Sequence, residues 1–120
     1  MAANHELGKR GESMAVEFLS CKGYKVLATN WVWNHREVDI FAAKDNVLAV
    51  VEVKIRASVA FGEPEVWVTK SKQKLIIEAA NQFIVKNKLD LEVRFDIISI
   101  VFNGGKYKLD HIEDAFYPLL

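Results

Sequence analysis

The sequence predicts an α/β sandwich, in which helices flank a central mixed β-sheet. Two stretches carry apolar side chains at spacings of three and four residues, which is typical of amphipathic helices. Five others have the composition or the flanking turn signals of strands. Their order along the chain is α-β-β-β-α-β-β. Since strands joined by short turns pair antiparallel and a helical connection permits parallel pairing, a mixed sheet is expected.

The first helix and three strands occupy the first half of the chain. The helix is predicted over residues 7–21 and is ended by Lys22-Gly23. The three strands are predicted over residues 24–31, 37–43 and 47–55. Because their connections are short and polar, the three strands most simply form a meander.

The second half of the chain supplies a helix and two further strands. The helix is predicted to begin near Thr69 or Ser71 and carries an apolar stripe over residues 75–84. A long strand is predicted over residues 93–102. A hairpin signal, Asn103-Gly104-Gly105, then leads into a last strand over residues 106–111. The segment between Phe61 and Trp67 lacks periodicity and is predicted to be a loop.

Length and composition exclude several classes of protein. At 120 residues and 51% hydrophobic content, we expect a single domain over residues 1–120. Sixteen Lys and Arg balance sixteen Asp and Glu, so the protein cannot hold polyanions by bulk charge alone. The single cysteine, Cys21, excludes an internal disulfide and a cysteine-built zinc site. The longest apolar run is five residues, far below the ~20 of a membrane helix. We expect a cytoplasmic protein without membrane contact, and the sequence is compatible with a homodimer.

The third strand carries the strongest chemical signal. After an apolar run, Glu52 and Lys54 point to the same face, and Glu37 and Asp39 share a face on the preceding strand. If the two strands pair through their short turn, Asp39 can lie near Glu52. Two carboxylates with a lysine beside them suit a magnesium and phosphate site. The alternative is a salt bridge of Glu52 with Lys54, or of Lys54 with Asp39, at the rim of the sheet.

These residues resemble the PD-(D/E)XK superfamily of restriction-endonuclease-like, metal-dependent nucleases, and more narrowly the YraN-like family of small bacterial proteins. The resemblance covers nearly the whole chain. Glu12 enters the site through similarity to archaeal Holliday-junction resolvases. The motifs that carry the resemblance are Gly11-Glu12-x-x-Ala15, Asn30, Glu37-Val38-Asp39, Val51-Glu52-Val53-Lys54-x-Arg56, Phe61-Gly62, Thr69-Lys70-Ser71-Lys72-Gln73, Arg94-Phe95-Asp96 and Asp114-Ala115-Phe116.

The resemblance implies a restriction-endonuclease-like sandwich and a nuclease mechanism. Asp39 and Glu52, with the Val53 carbonyl, would hold Mg²⁺ or Mn²⁺, which would activate a water for attack on a DNA phosphodiester. Glu12 would contact that ion through water, hold a second one, or orient Lys54. Family members can carry arginine at the position of Lys54, and arginine does not release its proton, so Lys54 is interpreted as a positioning charge.

A family glycine is replaced by Arg36 just before the acidic pair. The turn conformation ahead of Asp39 is therefore not fixed by the resemblance.

The start of the second helix is a candidate phosphate-binding surface. Lys70, Lys72 and Lys74 crowd its first turns, where the helix macrodipole disfavours cations by ~0.3 to 1 kcal/mol each. Residues 54–74 contain five basic and two acidic side chains, a local net charge of +3 in a neutral protein. Together with Arg56, these lysines are expected to bind nucleic acid. The alternative is a solvated lysine face, and Gln73 either contacts a phosphate or caps the helix.

Several residues have two interpretations. Glu12 either reaches the sheet edge or pairs with a neighbouring basic residue of its helix, and Glu37 is expected to make a solvent or turn contact rather than bind metal. Trp31 and Trp33 either stack on unpaired bases or, as favoured, anchor a hairpin to the core. The pair Arg94 and Asp96 most simply forms a structural ion pair.

Three classes of function follow. The preferred one is a magnesium-dependent endonuclease that acts on branched or otherwise non-standard DNA. The others are a catalytically inactive nucleic-acid-binding module and a protein-interaction domain that retains the fold. For the nuclease, Asp39, Glu52 and Lys54 are expected to converge at one rim of the sheet, with Glu12 facing them.

Overall fold

A computed structural model describes residues 2–57 and 68–116 of the chain. The order of helices and strands is the predicted one. The elements are α1 (Ala2–Cys21), β1 (Lys25–Trp33), β2 (Arg36–Lys44), β3 (Val47–Ala57), α2 (Lys70–Lys86), β4 (Glu92–Asn103) and β5 (Lys106–Phe116). The predicted loop between Phe61 and Trp67 lies outside the described residues.

The five strands form one sheet in the order β1-β2-β3-β4-β5. The central pair, β3 and β4, is parallel, and the other three pairs are antiparallel. The predicted meander and the predicted mixed sheet are both confirmed. The parallel pair follows from α2, which lies between β3 and β4 in the chain and lets the second strand start at the same end of the sheet as the first.

The last strand is longer than predicted. It extends to Phe116 instead of ending near His111, because the β4–β5 register shifts between Phe95 and Ile97 and the backbone of Asp114 has a φ of 53°. A bulge of this kind interrupts the side-chain alternation without ending the pairing. The alternation of side chains that predicts a strand therefore ends before β5 itself ends.

Each helix covers one face of the sheet with its own apolar cluster. On one face, Ala15 and Leu19 of α1 pack against β-strand residues that include Ile40 and Val51. The α2 face is built around Phe83, which stacks on Phe41 at 3.8 Å between ring centroids. The cluster on the α2 face comprises Val38, Phe41, Leu48, Val50, Val68, Ile76, Ala79, Ala80, Phe83, Phe95, Ile97 and Phe116.

Trp31 belongs to the α2-side core. Its ring lies edge-on to Phe41 at 5.8 Å and to Phe83 at 5.3 Å. This confirms the interpretation that Trp31 anchors the β1–β2 hairpin. The hairpin turn itself is built by Asn34 and His35, whose φ values of 50° and 65° are in the left-handed region. Arg36, at the position of the family glycine, is the first residue of β2 and pairs with Glu78 at 3.0 Å.

Gly11 allows α1 to pack closely against β3. A Cβ atom at this position would overlap the side chain of Ile55 on β3. Glycine therefore lets the helix lie directly on the strand, which brings the next residue, Glu12, down to the level of the sheet. Neither α1 nor α2 is long and apolar enough to cross a membrane, as judged over the part of the chain that the structure describes.

The sheet divides between β2 and β3. These strands pair from Lys44↔Val47 to Ile40↔Val51, and their paired register ends there. Beyond this point β2 continues only with β1, and β3 continues only with β4 as far as Ala57. We call this division, with Asp39 on one branch and Glu52 on the other, the fork.

Candidate functional site

The carboxylate of Asp39 bridges the two branches of the fork. Its Oδ2 accepts a hydrogen bond from the backbone N–H of Val53 at 2.7 Å. Beyond Ile40 and Val51 the two strands no longer form backbone–backbone hydrogen bonds, and the Asp39 carboxylate satisfies the Val53 N–H instead. This bond fixes the Asp39 side chain between β2 and β3. The predicted proximity of Asp39 to the Glu52 strand is therefore present.

Three carboxylates meet on the Asp39 side of the fork. Oxygen atoms of Glu12, Glu37 and Asp39 all lie within 4.8 Å of one another. Asn30 Nδ2 donates to Glu12 Oε1 at 3.3 Å and to Glu37 Oε1 at 3.0 Å, and so holds two of them. Asn30 has a φ of 48°, a left-handed conformation that asparagine tolerates better than most residues. Of the two interpretations of Glu12, the structure favours the one in which it reaches the sheet.

Glu37 was not expected to take part in the site. It is exposed, in keeping with a solvent contact, but its carboxylate belongs to the acidic group. The signal that could have found it is the alternation of Glu37 and Asp39 around Val38, together with a shared amide partner at Asn30.

Glu52 lies on the other branch of the fork and is buried. Its side chain is only 7% exposed, and its Oε1 accepts from Lys72 Nζ at 2.8 Å. Its Oε2 is buried and has no hydrogen-bond partner among the described residues. A buried carboxylate oxygen without a donor is unfavourable, so Oε2 is the oxygen of Glu52 that is available to bind a cation.

The cation that contacts Glu52 is Lys72, not Lys54. Lys54 shares a strand face with Glu52, but within residues 2–57 and 68–116 it forms no ion pair or hydrogen bond. The predicted alternative of a rim salt bridge between Glu52 and Lys54 is therefore not found there. Side chains two apart on a strand stand side by side, about 6 to 7 Å apart, whereas α2 places the ammonium of Lys72 directly against the carboxylate.

Two clefts reach Asp39 from opposite sides of the sheet. One, of about 580 Å³, lies beside α1 and includes Glu12 and Asn30. The other, of about 540 Å³, lies beside the start of α2 and includes Glu52 and Lys72. The fork is thus accessible from both faces.

The start of α2 is held by two capping contacts. Thr69 is the N-cap, and its Oγ1 accepts from the backbone N–H of Lys72 at 3.2 Å. Gln73 Nε2 donates to the carbonyl of Val68 at 2.7 Å, which favours the capping interpretation of Gln73 over a phosphate contact. Lys70 and Lys74 are exposed, as is Arg56 on β3. Lys72 lines the α2-side cleft, whereas Lys70, Lys74 and Arg56 are not among its lining residues.

Burial and neighbouring carboxylates raise the pKa of Asp39. Burial, reinforced by the negative charge of Glu52 and then by Glu37 and Glu12, raises the pKa of Asp39 from 3.8 to about 7, although the Val53 N–H bond opposes the shift. The hydrogen bond to Glu52 raises the pKa of Lys72, so this lysine is firmly cationic. The site therefore holds a carboxyl group with a pKa near neutral pH, Asp39, beside the ion pair of Lys72 and Glu52.

Asp39→Asn is expected to stabilise the fold at high pH only. Because the folded protein raises the pKa of Asp39, ionisation between about pH 4 and pH 7 destabilises the folded state. The amide keeps an oxygen for the Val53 N–H and removes the repulsion. The variant should gain ~1 kcal/mol of unfolding free energy at pH 8 and nothing at pH 4.

Chemical denaturation at both pH values measures this difference. Asp90→Asn, an exposed aspartate ahead of β4, serves as the matched control and should show no gain at either pH. A gain for Asp39→Asn that is equal at pH 4 and pH 8 would contradict the assigned repulsion.

The donor set fits a hard divalent cation. Magnesium and manganese prefer carboxylate and carbonyl oxygens, and the fork offers Asp39, the free Oε2 of Glu52 and the neighbouring Glu12 and Glu37. The described part of the chain places no histidine or cysteine in this acidic group. Oxygen donors of this kind suit magnesium or manganese better than zinc.

A second buried polar cluster lies away from the fork. Asp96 is fully buried, and both of its oxygens accept from Arg94 at 2.8 Å. It also contacts His111 Nε2 at 2.8 Å and accepts from the backbone N–H of Asp114 at 3.0 Å. The predicted structural ion pair of Arg94 and Asp96 is confirmed. Burial alone would raise the pKa of Asp96, but the bonds from His111 and Arg94 outweigh it and lower that pKa.

These features define an α/β sandwich with a group of carboxylates at a division of its sheet. The chain belongs to the uncharacterised protein family UPF0102, whose family model matches residues 11–100. The match spans all four residues that were expected to be catalytic, Glu12, Asp39, Glu52 and Lys54, and the predicted YraN-like membership is confirmed.

Bacterial relatives match the chain along almost its full length. A UPF0102 protein of Flavobacterium psychrophilum is 48% identical over 117 residues, which cover 98% of each chain. One from Flavobacterium johnsoniae is 47% identical over 98% of each chain. One from Bacteroides thetaiotaomicron is 44% identical over 100% of this chain and 99% of its own.

Proposed function

We propose that this protein is a metal-dependent endonuclease of the restriction-endonuclease-like class, which hydrolyses phosphodiester bonds of branched or otherwise non-standard DNA. The observation that carries the proposal is the buried Oε2 of Glu52, which has no partner among the described residues and lies across the fork from Asp39. A structural carboxylate would be fully hydrogen-bonded in a buried position. One that must bind a cation keeps an oxygen free.

Asp39 and Glu52 would hold Mg²⁺ or Mn²⁺, with the Val53 carbonyl as a further donor. When bound, the cation would lower the pKa of a water molecule and balance charge on the phosphate. The raised pKa of Asp39 supports this assignment, because a bound cation would offset the two largest causes of the shift, the burial of the carboxyl group and the negative charge of Glu52 beside it. Glu12 and Glu37 add negative charge within 4.8 Å of Asp39.

The chain's own side chains would orient the reacting groups. The Val53 N–H fixes the rotamer of Asp39, and Asn30 fixes Glu12. Because these carboxylates are already held in place, they need not reorganise when the substrate binds. Such preorganisation is a major source of the rate enhancement in catalysis by positioning and electrostatics. Lys54, on the Glu52 face of β3, would align the nucleophile as a fixed positive charge.

The start of α2 would hold the DNA backbone. Its exposed lysines, Lys70 and Lys74, lie at a helix N-terminus where free backbone N–H groups favour phosphate, and Arg56 adds charge from β3. Because the whole chain has no net charge, the local excess in residues 54–74 must supply the attraction for DNA.

Changing Lys70 and Lys74 to alanine is expected to weaken DNA binding and to lower the slope of log affinity against log salt by about one to two units. The matched control changes Lys86, the last residue of the same helix about 24 Å from Lys70, and Lys88, just beyond that end, and should leave the slope unchanged. Fluorescence anisotropy between 50 and 200 mM salt, roughly the range over which counterion release is resolved, measures both. Equal slopes for the two double variants would contradict the assigned surface.

Cleavage of a substrate panel tests the activity. Single strands, duplexes, flaps and four-way junctions are incubated with Mg²⁺ or Mn²⁺, and metal-dependent products that persist through purification support the proposal. Complete inactivity with both metals on every substrate contradicts it.

A second function has one observation in its favour. The ion pair of Lys72 and Glu52 at 2.8 Å already neutralises one of the two ligand carboxylates without metal. A nucleic-acid-binding module that no longer cleaves would keep such a pair. Binding to the panel without cleavage in either metal would support it, and binding to no substrate would favour the protein-interaction domain.

A further inference from the structure

We propose that Lys72 is an internal competitor for the metal: its ammonium occupies the cation position at Glu52 until a divalent cation displaces it, and it then contacts a phosphate of the substrate. This inference rests on the proposed function, because the displaced lysine and the metal share one ligand. It makes Lys72 a positioning residue that couples metal binding to DNA binding.

The first step is mutual exclusion. Lys72 Nζ lies 2.8 Å from Oε1 of Glu52, and a divalent cation on the same carboxylate would lie ~2.1 Å from its oxygen. The two positive charges would then be about 4 to 5 Å apart in a site whose carboxylate is buried, and their repulsion would be several kcal/mol at the effective dielectric of such sites. Lys72 and the metal ion therefore cannot bind the Glu52 carboxylate at the same time.

The second step is that the ion pair satisfies one oxygen of Glu52 and not the other. The ammonium satisfies Oε1 of Glu52 and leaves the buried Oε2 without a partner among the residues that the structure describes. A metal ion with six coordination positions can bind Oε2 and an oxygen of Asp39 together, whereas the ammonium in its present position contacts Oε1 and leaves Oε2 without a bond. The lysine is therefore a replaceable occupant.

The third step is the freedom of the lysine to leave. Its side chain is 48% exposed, while its backbone N–H is held by Thr69 Oγ1 at the cap of α2. The ammonium can swing into solvent by changing rotamers while its Cα stays at the mouth of the cleft. Once displaced, it joins Lys70 and Lys74 at a helix N-terminus, which repels cations in the absence of an anion. A substrate phosphate would relieve that repulsion.

The test measures Mn²⁺ binding by calorimetry, without DNA, for wild type and Lys72→Met. If the ion pair is formed about nine-tenths of the time, its removal raises the apparent Mn²⁺ affinity about tenfold. Lys86→Met removes an exposed lysine at the last position of the same helix, and is expected to change the affinity by less than about twofold. Equal affinities for wild type and Lys72→Met would overturn the inference and leave the proposed function standing. Undetectable binding in both would overturn both.

A second measurement does not depend on the variant folding. The lysines of the wild-type protein are reductively methylated with ¹³C, and their NMR signals are followed as Mg²⁺ is added. We expect the Lys72 signal to shift on saturation while the Lys70 signal stays in place. A Lys72 signal that does not move, at Mg²⁺ concentrations where calorimetry detects binding, would overturn the inference.

Discussion

Glu52→Gln is expected to lower metal-dependent DNA cleavage by on the order of a thousandfold, the effect expected when a group that holds charge at a reacting centre is lost. The amide keeps the shape of the side chain but cannot balance a divalent cation, and it leaves Lys72 without its anion. DNA affinity should stay the same or rise slightly, because one negative charge near the phosphate is removed. Single-turnover cleavage and anisotropy in Ca²⁺ measure the two quantities separately.

The matched control for this prediction is Glu92→Gln. Glu92 is exposed and lies at the other end of the parallel pair, opposite Val47, so its change should leave cleavage within about twofold of wild type. Cleavage that Glu52→Gln retains would mean that the activity comes from another site or from a contaminant.

Asp96→Ala is expected to cause the largest loss of stability, about 3 to 5 kcal/mol. The change leaves the guanidinium of Arg94 and the buried ring of His111 without their common acceptor, and it removes the acceptor of the Asp114 N–H in β5. Calorimetric melting should show a fall in Tm of about 10 to 20 °C. Asp110→Asn, an exposed aspartate on β5, should change the unfolding free energy by less than about 0.5 kcal/mol.

The pH dependence of Asp96 has the opposite sign to that of Asp39. Because folding lowers the pKa of Asp96, its contribution is complete above the unfolded value of about 3.8 and is lost as the pH falls below that value. The difference in unfolding free energy between wild type and Asp96→Asn should therefore be constant from pH 5 to 7 and shrink in acid. A difference that instead grows as the pH falls would contradict the assigned network.

The order of helices and strands could be predicted because its signals are local. Apolar spacing on α1 and α2 and the turn at Asn103-Gly104 each depend on a few neighbouring residues. The end of β5 could not be predicted in this way. It depends on a register shift against β4 and on the backbone of Asp114, which follow from long-range pairing.

Sequence spacing predicted which residues of β2 and β3 lie at the candidate site, but not the contact that α2 makes with it. The alternation of side chains on two neighbouring strands predicts that Asp39 and Glu52 can lie close together. It does not predict that β2 and β3 separate just beyond Ile40 and Val51. The salt bridge considered for Glu52 as an alternative was with the nearby Lys54, whereas the contact is made by Lys72 of α2, eighteen residues after Lys54. Contacts across layers depend on packing that one-dimensional spacing does not encode.

The central claim is that Asp39 and Glu52 bind a divalent cation at the fork. Its most direct test is a crystal structure with Mn²⁺, in which the metal is located by its anomalous scattering. We expect one anomalous peak about 2.1 to 2.3 Å from an oxygen of Asp39 and from Oε2 of Glu52, with the Lys72 ammonium moved away. An ion pair of Lys72 and Glu52 that persists at saturating Mn²⁺, with no anomalous peak at the fork, would contradict the account.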